Sequence, residues 1–187
     1  MTDKPRILMD ARKMDRTLER IAAEIREHEL GNEPVAIVGI RTRGVHLASR
    51  LRDKLQREAD NQVDFGILDI NLYRDDLSMV ADHPVLRKTE IPFSVGGHRL
   101  VLVDDVLYTG RTIRAALDAL ADLGRPALIQ LAVLVDRGLR ELPIQADYVG
   151  LQVPTQADQY IRVMVDEEDD CDQVELGDRE ALSQGEV

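Results

Sequence analysis

Two adjacent carboxylates, Asp104 and Asp105, follow the apolar run Leu100-Val101-Leu102-Val103, and Tyr108-Thr109-Gly110-Arg111-Thr112 comes just after them. An apolar strand that delivers two acids and then a loop bearing Thr and Gly into a helix is a candidate anion site, because hydroxyls and helix N-terminal amides bind phosphate. Carboxylates beside a phosphate would repel it unless they accept hydrogen bonds from sugar hydroxyls or hold a divalent cation. The pattern therefore points to a phosphorylated sugar. A plainer alternative stands beside it, in which Thr109 and Thr112 simply cap the helix. No G-x-x-x-x-G-K-[ST] accompanies the Asp-Asp strand end, and no G-x-G-x-x-G occurs in the chain, so two common nucleotide signatures are missing. A receiver-type acidic pocket would need its acids on the first strand, and Val35–Ile40 ends without them.

Positioning such a loop takes strands and helices. Met14, Leu18, Ile21 and Ile25 recur at helical spacing, which predicts a helix over 14–29. Val35–Ile40 reads as a buried strand turning through Arg41-Thr42-Arg43-Gly44, followed by a helix with Val45, Leu47, Ala48, Leu51 and Leu55 inward. Further strands are expected at 63–72, 100–103, 127–135, 147–151 and 160–165, with a helix over 113–123. The strand at 100–103 is expected to stop at Asp104-Asp105. Residues 73–92 show no period, and a loop of that length is commonly functional. Strands and helices alternate, so the class is α/β with a central, mostly parallel sheet flanked by helices, in one domain. Open sheets of this kind bind ligands beyond the carboxyl ends of their strands. Three such ends are polar: 39–44, 104–112 and 136–138.

Composition narrows the class further. One cysteine, Cys171, excludes a disulfide framework or a cysteine-built metal site. The apolar run 127–135 is about half of what a membrane-spanning helix needs, and Asp3, Lys4 and Arg6 do not open a secretory signal, so a cytoplasmic location with no membrane partner is expected. No DNA partner is expected either, although the charge balance neither predicts nor forbids nucleic-acid binding. The net charge of −11 is uneven. Residues 166–187 carry ten acids and one arginine, a net of −9, which leaves −2 for the rest. This acidic segment reads as a solvated edge and frayed end, with Val174-Glu175-Leu176 able to add a strand. His28, His46, His83 and His98 lack metal-ligand spacing.

Residues 101–112, Val-Leu-Val-Asp-Asp-Val-Leu-Tyr-Thr-Gly-Arg-Thr, resemble the phosphoribosyl-pyrophosphate (PRPP) motif of type I phosphoribosyltransferases, closest to the pyrimidine-operon attenuator and uracil phosphoribosyltransferase family, PyrR. Residues 39–44, 69–77, 124–126, 131–138 and 140–143 resemble the same family in order, so the likeness spans about residues 14 to 165.

The resemblance implies pentosyl transfer from PRPP to uracil, giving UMP and pyrophosphate, with Mg2+ arriving on the substrate. It places Asp104 and Asp105 on the ribose hydroxyls, where their charge also favours an oxocarbenium-like transition state. Mg2+ would have no ligand from the protein, or at most Asp104 and Asp105. PRPP would be held by Thr42, Arg43 and Gly44 in a pyrophosphate loop and by Asp104, Asp105, Val106, Leu107, Tyr108, Thr109, Gly110, Arg111 and Thr112, the last four cradling the 5-phosphate. The catalytic set is Asp104, Asp105, Arg43 and Arg74, the last on a mobile lid over 72–92 that excludes water. Asp136 and Arg137 are expected on the uracil side, under a small hood over 136–160. Purine enzymes of this fold usually carry an acid where this chain has Tyr108, which favours a pyrimidine.

The family also implies a second function, UMP- or UTP-responsive binding of pyrimidine-operon leader mRNA, by a homodimer or higher oligomer. The departures lie there. The first helix interleaves Glu19, Glu24 and Glu27 with Arg16, Arg20 and Arg26, and Leu139, Gln145 and Leu151-Gln152 stand where regulatory members are basic. RNA affinity is dominated by phosphate contacts, so these losses weigh against it. No RNA-binding residue can be assigned from the sequence. Two alternatives follow: a nucleotide-sensing regulator with little catalysis, or a transferase that has lost RNA regulation.

Overall fold

The computed structural model describes residues 4–28, 34–57, 59, 62–73 and 89–178. Strand β1 (Arg6–Asp10) feeds directly into helix α1 (Ala11–Glu27), whose first turn is capped by Asp10: its Oδ1 accepts from the Lys13 amide at 2.7 Å. The helix thus begins earlier than its apolar period suggests. Then come β2 (Val35–Ile40), α2 (Arg43–Gln56), β3 (Asp64–Leu68), a 3-10 turn at Asn71–Tyr73, β4 (Arg99–Leu107), α3 (Arg111–Leu123), β5 (Leu128–Asp136) and β6 (Tyr148–Gln152). Strand β7 (Gln159–Met164), the short helix α4 (Asp166–Asp169) and β8 (Gln173–Asp178) close the described chain.

Five strands form one parallel sheet in the order β3-β2-β4-β5-β6. Side chains alternate along each strand, so both faces of a central strand must be covered. Val101 and Val103 enter one core with Met14, Ile21, Leu47 and Leu51 of α1 and α2, while Leu100 and Leu102 enter the other with Ile113, Ala116 and Leu120 of α3. Each fully buried Leu or Ile contributes about 1.5–3 kcal/mol, which outweighs helix propensity in deciding where α1–α3 lie.

The chain leaves β2 through α2 toward β3, whereas it leaves β4 through α3 toward β5 on the opposite side. The sheet therefore switches direction between neighbouring strands, which opens a crevice at their carboxyl ends. Register sharpens the point. Gly39 pairs with Val103, so β4 runs past the end of β2 and continues against β5, with Asp104 opposite Val133 and Leu107 opposite Asp136. The strand expected to stop at Asp104-Asp105 extends through them, because backbone pairing with β5 tolerates the two acids. The strand expected over 63–72 is shorter, ending at Leu68 where Asn71–Tyr73 turns.

The second sheet has three antiparallel strands, β1-β8-β7, built from both ends of the described chain. Strand β6, inside the 136–160 span, belongs to the parallel sheet instead. The acidic segment is more than a solvated edge: β8 is the middle strand of this sheet, and Glu167, Glu168, Asp169 and Asp172 pair with side chains of α2. Among the described residues no helix is long and apolar enough to cross a membrane. Residues 74–88 of the 72–92 loop, Arg74 and His83 among them, lie outside the described residues.

Candidate active site

At the switch point, Asp104 is 6% exposed and Asp105 partly exposed. The Asp105 amide donates to Asp104 Oδ1 at 3.0 Å, and the Val106 amide to Asp105 Oδ1 at 2.8 Å. Burial pushes the Asp104 carboxyl well above its ordinary range, and the neighbouring Asp105 charge adds to the effect. Burial also raises Asp105, opposed by the Val106 amide and by the charge of Arg43. Two acids held so close, with little water, are primed for groups that bring donors or positive charge.

The loop after β2 closes on this pair. The Arg41–Thr42 peptide is cis, and Thr42 is the N-cap of α2. A Cβ on Gly44 would lie 2.7 Å from the Val103 carbonyl oxygen and 3.2 Å from Asp104 Cα, so only glycine lets α2 start this near to the acids. Arg43 opens α2 and gives Nε and Nη2 to the Asp169 carboxylate at 2.9 and 2.7 Å. That ion pair raises its pKa, with burial opposing. Arg41 Nη2 reaches Glu90 Oε1 at 3.4 Å.

Across the crevice, Val106 and Leu107 finish β4, and the loop at 108–110 leads into α3. Gly110 has φ of 92°, left-handed backbone that a side chain resists, and as N-cap it offers no side-chain acceptor to the helix. Thr109 Oγ1 does accept from the Arg111 amide at 3.3 Å, so the capping alternative holds for one donor. A helix N-terminus of this kind, with no side chain on its N-cap, is one that can offer amides to an anion. Arg111 Nε binds Glu141 Oε2 at 2.7 Å, and Thr112 stands in the first turn of α3.

Asp136 and Arg137 sit beside this loop at the end of β5. The Arg137 guanidinium lies 4.1 Å over the Tyr108 ring and gives Nε to Thr155 Oγ1 and Nη2 to the Gln156 and Gln159 carbonyls. The Asp136 carboxylate accepts from the Gly138 amide at 2.9 Å and from Arg140 Nη2 at 2.6 Å. Their polar ends thus hold the surrounding chain. Arg140, which no sequence argument placed in the site, spans the gap. Its Nη1 donates to the Leu107, Tyr108 and Gly138 carbonyls, and its Nε to that of Ile144. A basic residue four positions after Asp136, inside a family-like segment, was the only hint of it.

Two acids, a glycine-gated basic loop and an open helix terminus thus meet at one crevice. Among the described residues no group of three or more His, Cys, Asp or Glu is arranged to hold a metal ion. Arg74, expected on the lid, lies outside the described residues.

The phosphoribosyl transferase domain model matches residues 7–168, which takes in the switch point and all three loops. Proteins named bifunctional protein PyrR are similar over nearly their whole length. The one from Deinococcus deserti is 55% identical over 175 residues, covering 94% of this chain and 96% of its own; that from Thermus thermophilus is 56% identical over 173 residues, covering 92% and 96%. The chain belongs to the PyrR family of phosphoribosyltransferases. A hypoxanthine phosphoribosyltransferase from Trypanosoma cruzi superimposes with a TM-score of 0.73 at 18% identity, covering 94% of this chain and 96% of that one. The five-stranded parallel sheet flanked by helices is thus the type I phosphoribosyltransferase fold.

Proposed function

We propose that the protein transfers the 5-phosphoribosyl group of PRPP to uracil, releasing pyrophosphate and forming UMP. The observation that carries this reading is the Asp104-Asp105 pair, with Asp104 buried and Asp105 partly exposed, at the switch point between Gly44 and the loop 108–112. In this reading the two carboxylates accept hydrogen bonds from the ribose 2- and 3-hydroxyls and stabilise positive charge developing at the sugar. The 5-phosphate lies on Thr109, Gly110, Arg111, Thr112 and the amides opening α3, flanked by Val106, Leu107 and Tyr108. Thr42, Arg43 and Gly44 face the pyrophosphate, and by family likeness Arg74 adds a contact. The work is positioning and electrostatics, with no covalent intermediate required of the protein.

Mg2+ fits as a companion of PRPP. Asp104 and Asp105 are the carboxylates that could help hold it, and Mg2+ ordinarily takes one or two protein carboxylates together with substrate phosphates and water. When bound it would neutralise charge on the departing pyrophosphate. On the base side, Tyr108 stacked under Arg137 replaces the acid usual in purine enzymes, which supports a pyrimidine. Asp136 and Arg137 would frame that wall. The reading carries with it a cytoplasmic location and a homodimer or larger assembly.

Labelled uracil, PRPP and Mg2+ test it directly. UMP should form, and the Asp104→Asn/Asp105→Asn chain should lose at least about a hundredfold in kcat/KM. PRPP binding without UMP formation would refute the uracil assignment.

The name of the relatives, bifunctional, favours a second activity, and we propose UMP- or UTP-responsive binding of pyrimidine-operon leader mRNA. The structure tempers its electrostatic side. Arg20 is paired with Glu24 and donates to the Val149 and Gly150 carbonyls, and the exposed Leu139 brings no charge to the surface. RNA affinity that falls steeply with salt would support the activity; a flat dependence would leave a transferase alone.

A further inference from the structure

Helix α2 carries Arg43, His46 and Arg50 at spacings of three and four, so they share one face, and the turn 166–172 lies against it. Arg50 binds both Glu167 and Asp172 through two-point contacts of 2.7–2.9 Å, and His46 Nε2 lies 3.0 Å from Glu168 Oε1. The remaining contact reaches the crevice. Asp169 takes both Nε and Nη2 of Arg43, and its Oδ2 also accepts from the Val165 amide at 3.0 Å. The carboxylate is therefore fixed from its own backbone as well as by the arginine. The turn that bears it is fixed in turn by Arg50 and by the Asp166 amide, which donates to Asp172 Oδ1 at 2.9 Å.

A guanidinium has two donor edges. Gripping the Nε and Nη2 edge leaves the Nη1 and Nη2 edge outside that fork, with its plane already set. Arg43 precedes Gly44, the residue that packs against Asp104, and its charge acts on Asp105. We propose that Asp169 is a positioning residue for phosphoribosyl transfer, holding Arg43 so that its outer edge meets the pyrophosphate of PRPP. The inference rests on the functional reading above and extends it to a residue from the acidic C-terminal segment. An anion that merely competed with pyrophosphate would have to release Arg43. Asp169 is anchored against that, and a pre-set arginine loses less side-chain freedom when PRPP binds.

Binding of Mg2+-PRPP by calorimetry, without uracil, tests it alongside steady-state kinetics. Asp169→Asn should weaken PRPP about threefold to tenfold while the KM for uracil stays unchanged. In an Arg43→Ala background the same substitution should add nothing, because Asp169 acts through Arg43. Glu168→Gln, which breaks the His46 contact on this turn and leaves the Asp169–Arg43 fork in place, should bind PRPP nearly as the parent does. Should Asp169→Asn fail to fold, Asp169→Glu, which moves the charge by one methylene, carries the same comparison. Unchanged or tighter PRPP binding by Asp169→Asn, or an equal loss in the Arg43→Ala background, would overturn the proposal. A parent protein that binds no PRPP would overturn both this and the transferase reading. One that binds PRPP and ignores uracil would sink only the base assignment, and the PRPP comparison would still decide for or against Asp169.

Discussion

Asp104 is held where its charged form is penalised, and that has opposite consequences for stability and for activity. Its native pKa is raised by burial, so the folded chain binds its proton more tightly than the unfolded chain does. Stability is then undiminished below the ordinary carboxylate value of about 4 and erodes as pH rises toward the native value. Asp104→Asn removes this cost and keeps an acceptor for the Asp105 amide. Scanning calorimetry at pH 8 should show a Tm higher by about 3 °C or more, a gain that vanishes near pH 4, in a protein that has lost its transferase activity. The same raised pKa values mean that PRPP, bringing hydroxyls and a divalent cation, should drive protons off the pair. Calorimetric titrations in buffers of different ionisation enthalpy, run across the pH range in which the pair titrates, should register net proton release on binding. Uptake would contradict the assigned contact.

Elements meet at the site with little slack. Strand β2, α2 and β4 converge at Gly44, whose missing side chain sets the approach to Val103 and Asp104. Gly44→Ala should cost about 1–3 kcal/mol in urea unfolding and should also weaken PRPP binding, since α2 must move away from the acids. Arg140 does the corresponding work on the far side, joining the Leu107, Tyr108, Gly138 and Ile144 carbonyls to the Asp136 carboxylate. Lysine cannot reproduce a planar fork with five donors. Arg140→Lys should therefore raise the KM for both PRPP and uracil, with the helix content seen by circular dichroism retained. A change in only one KM would mean that the loop 108–112 and the segment 136–144 are not coupled through this residue.

At the scale of the whole molecule, the acidic turn ties the two ends of the described chain to α2. Asp169, Asp172 and Glu167 have lowered pKa values; the Arg43 contact is the largest cause for Asp169, and Arg50 works against burial for the other two. Lowered carboxylates lend stability that is present above about pH 4 and lost as pH falls through their native values. Acid unfolding should consequently be less steep in Arg50→Gln than in the parent protein, even though the variant is less stable at pH 7. Much of this molecule was legible beforehand. Alternation of apolar strands with amphipathic helices determined the class, and the types and order of residues 39–44, 104–112 and 136–138 determined the three loops, because periodicity and turn chemistry are local. Partners distant in sequence were not legible. Nothing local distinguishes Asp169 from the acids around it, marks Arg140 as a bridge, or says that β4 outruns β2, since each depends on which surfaces the packed sheet brings together. Sequence alone determined the chemistry available to the crevice. Tertiary structure decided which side chains face the crevice and which, like Arg137 and Asp136, are occupied in holding it, because hydrogen-bond partners are allotted only once buried polar groups must all be satisfied.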